Sequence, residues 1–147
     1  MPEEIVMAFD FGEKRIGVAV GNTVTARARP LTTLHVQSNQ DRLAAVGKLV
    51  AEWQPARFVI GEPTYGHDEA GGEGHPIAHL ARKFGNRLTE NFRLPVEYVN
   101  EFLSSAAAEQ LLNERGIKGL AQKEHVDAVA AQIILQNYLD DASRHAA

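Results

Sequence analysis

The sequence predicts an α/β fold in which a five-stranded mixed sheet is flanked by helices. Three short apolar runs within residues 5–34 are joined by links too short for a helix, which is typical of antiparallel strands. Segments with helical periodicity then alternate with two further apolar runs, which favours crossovers and parallel pairing. The predicted sheet therefore has three antiparallel strands followed by crossover strands.

The antiparallel part is expected at residues 5–11, 16–21 and 25–34. Residues 12–15 suit a hairpin between the first two of these strands. Pro30 has no backbone N–H to donate, so it marks an edge or a bulge in the third strand.

The crossover part fills the rest of the chain. Apolar residues recur at helical spacing in three segments, capping residues indicate a fourth helix, and the polar, glycine-rich stretch 64–75 is typical of a loop. We expect one domain over residues 1–141 and a flexible tail over 142–147. The predicted elements are a helix at 41–53, a strand at 57–61, a helix at 77–91, a strand at 95–101, and helices at 104–115 and 123–139.

Composition excludes several classes of protein. No apolar run approaches the ~20 residues of a membrane span, and the N-terminal residues have no basic stretch typical of a secretory signal. The chain has no cysteine, which excludes disulfides and thiolate zinc sites and fits a cytoplasmic protein. A net charge of -4 argues against non-specific coating of nucleic acid, although a local basic surface is compatible with it.

Asp10 is the most informative residue, because it lies inside an apolar run that otherwise predicts a buried strand. A buried charge costs several kcal/mol unless it is paired or binds a metal. Glycines follow at positions 12, 17 and 21, and they allow a backbone or a phosphate to approach closely. Asp10 is therefore a candidate ligand in a metal-assisted phosphate site.

Three further acids come from distant segments. Asp127 heads an otherwise apolar face of the last helix, although Lys123, one turn earlier, could simply pair with it. Glu101 ends the fifth strand, where sites gather in alternating sheets, but a helix first-turn acid is the plainer interpretation. Glu62 ends the fourth strand and could equally be a solvated loop acid.

Convergence of such carboxylates on one spot would create a site for paired divalent ions. Hard oxygen ligands favour Mg²⁺ or Mn²⁺. The pattern of a strand centre, two strand ends and a helix face is therefore compatible with a metal-assisted phosphate site.

The element order is that of the ribonuclease H-like superfamily, and the segment Phe9-Asp10-Phe11-Gly12-Glu13-Lys14-Arg15-Ile16-Gly17-Val18-Ala19 is similar to the opening motif of the YqgF/RuvX family. Members are described as Holliday junction resolvase-like and as pre-16S rRNA nucleases. The resemblance covers nearly the whole chain and implies a nuclease with two-metal-type hydrolysis. It implies that the catalytic and metal-binding residues are Asp10, Glu101 and Asp127.

Two departures from the family pattern affect this interpretation. The usual Asp-Glu-Arg reads Asn100-Glu101-Phe102, which removes an acid and a phosphate-binding arginine. The usual Gly-Leu-Pro reads Gly61-Glu62-Pro63, which adds an acid, so Glu62 is a further catalytic candidate. Substrate contacts are then expected from Lys14, Arg15, Gly17, Arg29 and Lys123.

The resemblance implies 5′-end maturation of pre-16S ribosomal RNA, with RNA as the favoured partner. Resolution of Holliday junctions in branched DNA is the alternative, and it would need a homodimer rather than a monomer to cut two strands symmetrically. A nucleic-acid-binding protein with decayed catalysis is a third interpretation. An actin-like ATPase is disfavoured because such proteins need two domains, and no membrane partner is expected.

Overall fold

The structure, a computed structural model, describes residues 3–12, 14–35, 38–62, 76–100 and 120–145, without the side chains at 62, 76–78, 100, 120–125 and 142–145. Within those ranges the chain forms five strands and three helices. In chain order they are β1 (Ile5–Phe11), β2 (Arg15–Asn22), β3 (Arg27–His35), α1 (Asn39–Trp53), β4 (Arg57–Glu62), α2 (Pro76–Phe92), β5 (Val96–Asn100) and α3 (Leu120–His145).

The five strands form one mixed sheet in the order β3-β2-β1-β4-β5. Strands β1, β2 and β3 pair antiparallel through short links, whereas β4 pairs parallel with both β1 and β5. Parallel neighbours need a crossover, and α1 leads into β4 and α2 into β5. The predicted fold class is therefore confirmed.

One face of the sheet is covered by α1 and α2 and carries an aromatic core. Phe9 of β1 packs against Phe58 of β4 with ring centroids 5.7 Å apart. Phe84 of α2 meets the same Phe9 ring edge-on at 5.4 Å. These rings are buried together with Val46 of α1, so this face supplies most of the large apolar side chains of the core.

The opposite face carries small side chains and is covered by α3. Ala8 and Ala19 line the sheet there, and Ile134 and Leu135 of α3 pack on them. The small residues let the helix lie close to the strands. Alternation along β1 places Asp10 on this face with Val6 and Ala8.

Three elements have a boundary that differs from the predicted one by two residues or more. The third strand begins at Arg27 rather than residue 25, because the Asn22 side chain accepts hydrogen bonds from the backbone N–H groups of Val24 and Thr25 and holds a turn. Helix α1 begins at Asn39, after the Ser38 side chain accepts from the Asp41 N–H. Helix α3 extends beyond the predicted 123–139 at both ends. The predicted helix at 104–115 and the predicted loop at 64–75 lie outside the described residues.

Helix α3 spans 26 residues, which is length enough to cross a bilayer. Its apolar residues are interrupted by charged and polar ones, however. Among the helices that the structure describes, none is both long and apolar enough to span a membrane.

Candidate functional site

Asp10 lies at the centre of a row of residues that crosses the whole sheet. It is 8% exposed and is the one buried charged residue in the described part of the chain. Glycines flank it on both neighbouring strands, so no side chains crowd it from either side. The row reads Thr33, Gly17, Asp10, Gly61 and Val99 from β3 to β5.

Gly17 is the point at which α3 touches the sheet. A Cβ atom built on Gly17 would lie 1.8 Å from the backbone carbonyl oxygen of Asp127 and 2.9 Å from the backbone nitrogen of Ala128. Atoms that are not bonded to each other do not approach so closely, so only glycine, which has no Cβ, permits this contact. Gly17 thus allows the close approach of a backbone that the sequence predicted, and this backbone is that of α3. A contact between Gly17 and substrate stays a prediction.

The contact over Gly17 brings Asp127 next to Asp10. Gly17 is the cross-strand partner of Asp10, and the Asp127 backbone rests on that same glycine. Two of the three acids that the sequence predicted for a common site thus meet on one face of the sheet. They come from chain segments more than one hundred residues apart.

Arg15 forms an ion pair with Asp127. The guanidinium Nε lies 2.9 Å from Asp127 Oδ2, and the side chains are 44% and 15% exposed respectively. Asp127 Oδ2 is buried and makes no hydrogen bond to a described residue. The Arg15 contact is therefore an ion pair in which the N–H group is not aligned with the oxygen. Arg15 therefore balances the charge of Asp127 while leaving the hydrogen-bonding capacity of this oxygen unused.

Burial raises the pKa of Asp127 above its ordinary value, and the positive charges of Arg15 and His35 lower it in part. His35 was missed in the sequence. It is exposed at the end of β3, directly opposite Arg15 in the strand register. The signal that could have found it is its place at the carboxyl end of β3, which lies at the same edge of the sheet as the end of β1.

Asp127→Asn is expected to leave the metal-free protein at least as stable as the wild type at neutral pH. A raised native pKa means that stability falls as pH rises from the unfolded pKa through the native one, and asparagine removes this titration. Thermal unfolding in chelator across the acid to neutral range measures it. A melting temperature several degrees below wild type at neutral pH would show that the carboxylate stabilises the fold.

Helix N-termini lie at the edge of the sheet where β1 ends. Strands β1, β3, β4 and β5 end at one edge of the sheet, and α1 and α2 return from that edge, so their first turns lie there. Helix α3 runs in the same direction, because its Asp127 lies over Gly17 and its Leu139 over Gly21. Helix N-termini and the exposed Lys14 favour anions such as phosphates at this edge.

The residues present fit a hard divalent cation. Asp10 and Asp127 offer carboxylate oxygens, and the buried Asp127 Oδ2 has no hydrogen-bond donor in the described part of the chain. Within that part no group of three or more histidine or acidic side chains could hold a metal. The third predicted ligand, Glu101, lies outside the described residues.

The other predicted site residues fall in different places. Glu62 ends β4 in register with Asn100, and Lys123 lies in the first turn of α3. The structure does not describe the side chain of Glu62 or of Lys123. Arg29 is remote from Asp10: it pairs with Val20, and its guanidinium carbon lies 4.7 Å from the centre of the Trp53 ring. The structure therefore brings together Asp10, Asp127 and Arg15, and separates Arg29 from them.

A family model described as RuvX, Holliday junction resolvase, matches residues 4–141. The chain belongs to the RuvX family. Curated RuvX relatives agree with this assignment. A protein of Dechloromonas aromatica named "Putative pre-16S rRNA nuclease" is 53% identical over 135 residues, which cover 92% of this chain and 90% of the relative. A Neisseria gonorrhoeae protein of the same name is 47% identical over 140 residues, covering 95% and 90%.

Solved structures similar to this RuvX chain include two resolvases. The RuvC protein of T. thermophilus, solved in complex with a Holliday junction substrate, matches with a TM-score of 0.59 and 16% identity over 96% of each chain. The fowlpox virus Holliday junction resolvase matches with a TM-score of 0.56 and 11% identity, over 94% of this chain and 99% of the other. At this identity the likeness establishes the shared ribonuclease H-like fold.

Proposed function

We propose that this RuvX chain is a nuclease that hydrolyses phosphodiester bonds with Mg²⁺ or Mn²⁺, acting on RNA in the 5′-end maturation of pre-16S ribosomal RNA in the cytoplasm. The observation that carries the proposal is the meeting of Asp10 and Asp127 over Gly17. Curated relatives named as pre-16S rRNA nucleases support the choice of substrate.

Asp10, Asp127 and Glu101 would hold the metal ions through carboxylate oxygens. When bound, paired divalent ions supply an activated water and charge stabilisation for the leaving oxygen. The burial of Asp10 and the close packing of α3 would hold the two described carboxylates in fixed positions. Pre-positioned ligands need no rearrangement during the reaction, which is how rigid sites lower a barrier.

The basic residues near this edge would bind the substrate backbone. Lys14 and Arg15 lie in and beside the link between β1 and β2, next to Asp10 in the chain, and both are exposed. They supply positive charge locally in a chain whose net charge is -4. Lys123 would add to them from the first turn of α3.

Cleavage by the full chain tests the proposal on three substrates: single-stranded RNA, a pre-16S fragment with its 5′ extension, and a four-way DNA junction. Reactions contain Mg²⁺, Mn²⁺ or chelator, and Asp10→Ala serves as the control. Metal-dependent cutting of the RNA precursor that Asp10→Ala abolishes supports the proposal. Binding without any cleavage overturns it in favour of a nucleic-acid-binding protein with decayed catalysis.

Junction resolution is the second candidate, favoured by the description of the family that the chain matches. A resolvase must cut two strands symmetrically, so it would act as a homodimer with two sites. Cutting of the four-way junction alone, by a species that sedimentation identifies as a dimer, would choose this candidate. Cutting of RNA by a monomer would exclude it.

Glu62→Gln is expected to lower cleavage by a large factor if Glu62 joins Asp10 in the site. Gly61, its neighbour, pairs with Asp10, so the backbone brings position 62 near the carboxyl end of β1. Initial rates at saturating Mn²⁺ measure the effect, with Glu52→Gln on the exposed surface of α1 as the matched control. Equal rates for Glu62→Gln and wild type would remove Glu62 from the site.

A further inference from the structure

Arg15 and a metal ion would compete for the same oxygen atom. Arg15 Nε lies 2.9 Å from Asp127 Oδ2, and this carboxylate is one of the two described candidate metal ligands. Two cations on one carboxylate oxygen repel each other strongly at such distances. The ion pair between Arg15 and Asp127 therefore has to weaken when a divalent ion binds Asp127.

The exposure of the two partners shows which of them can move. Asp127 is fixed, because its backbone is wedged against Gly17 and its side chain is only 15% exposed. Arg15 is 44% exposed and begins strand β2, so solvent surrounds much of its side chain. Its neighbour across the strands is His35 rather than a second acid.

We propose that Arg15 is a placeholder cation, which neutralises Asp127 while the metal site is empty and releases it when a divalent ion binds. Once released, the guanidinium remains at the edge of the sheet beside Lys14, where it is available to a substrate phosphate. This inference rests on the proposed function, because it requires that Asp127 binds the ion. It assigns Arg15 a positioning role that acts through Asp127.

The geometry of the ion pair supports this role. Nε approaches Oδ2 without hydrogen-bond geometry, so releasing it breaks no hydrogen bond to that atom. A placeholder of this kind stabilises the empty site and weakens metal binding.

Mn²⁺ affinity of the full chain, measured by calorimetry without substrate, tests the inference. Arg15→Gln is expected to bind Mn²⁺ roughly fivefold more tightly than wild type, the order of effect that a part-exposed ion pair produces. Arg27→Gln, which removes the same charge from an exposed position at the opposite end of the sheet, is the matched control and is expected to leave the Kd unchanged. Arg15→Lys keeps the charge and is expected to lie between.

Thermal unfolding supplies a second readout that does not depend on activity. Metal-free Arg15→Gln is expected to melt below wild type, and its gain in melting temperature on adding Mn²⁺ is expected to be larger than that of wild type. A merely structural role for Arg15 would weaken Mn²⁺ binding rather than strengthen it. Tighter binding by a less stable variant is therefore the signature of a placeholder.

The outcomes separate the inference from the proposed function. If wild type binds Mn²⁺ and Asp127→Asn does not, the metal site stands. Mn²⁺ binding by Arg15→Gln that is then equal to or weaker than that of wild type overturns the placeholder role alone. If wild type does not bind Mn²⁺, or if Asp127→Asn binds it as well as wild type does, the metal site itself is wrong and both conclusions fall.

Discussion

Asp10→Asn is expected to lower metal-dependent cleavage about a thousandfold, which corresponds to a loss of about 4 kcal/mol of transition-state stabilisation. The carboxylate lies at the centre of the sheet, flanked by Gly17 and Gly61, and no other acid in the described part of the chain is buried there. An amide is a neutral and weaker metal ligand of nearly the same shape. Single-turnover rates at saturating Mn²⁺ measure the effect.

The same substitution is expected to leave the fold intact or to stabilise it. Burying a carboxylate costs several kcal/mol, and an uncharged isostere avoids part of that cost. Asp140→Asn, the same chemical change at an exposed position of α3, is the matched control and should match wild type in both activity and stability. Wild-type cleavage rates for Asp10→Asn would remove this residue from the chemistry.

Gly17→Ala is expected to destabilise the protein by about 3 kcal/mol or more and to lower activity with it. The new Cβ would have to occupy a position 1.8 Å from the Asp127 carbonyl oxygen, and a backbone atom cannot move aside as a flexible side chain does. Helix α3 would be pushed from the sheet, and a shift of about 1 Å in Asp127 alone can cost about a hundredfold in rate. Denaturant unfolding and cleavage rates measure the two effects.

Gly47→Ala is the matched control for this prediction. Its Cβ would lie 3.7 Å from the Phe92 ring, an ordinary contact, and Gly47 lies inside helix α1. Alanine is favoured over glycine in a helix by about 0.5–1 kcal/mol, so this variant should be as stable as wild type or more so. Equal stability of Gly17→Ala and Gly47→Ala would contradict the close packing of α3 on β2.

The sheet and its central acid could be predicted from the sequence because both are local signals. An acid within seven consecutive strand residues violates the expected apolar pattern of β1, and this needs no knowledge of the rest of the chain. The short links between the first strands likewise determine their antiparallel pairing. The apolar face on which Asp127 lies was also visible in the sequence. Its Ala130, Ala131 and Ile134 are buried, and Tyr138 on the same face is half-buried.

The partners of these residues could not be predicted, because they depend on where α3 crosses the sheet. Lys123, whose side chain lies outside the described residues, was the local candidate to pair with Asp127, and the ion pair that the structure describes comes from Arg15 at the other end of the chain. Gly17 was expected to let a backbone or a phosphate approach closely, but its local sequence could not indicate that the approaching backbone is that of α3. Nothing in the local pattern around either residue reports a crossing between segments so distant in sequence.

The position of α3 in the chain also has a consequence for synthesis. Strands β1 and β2 are made first, but one face of each is covered by α3, which the ribosome makes more than ninety residues after β2. Asp10 is therefore present in the nascent chain long before Asp127 can reach it, and pairings between distant segments form late in folding. A site that needs both acids can therefore form only after α3 has been made.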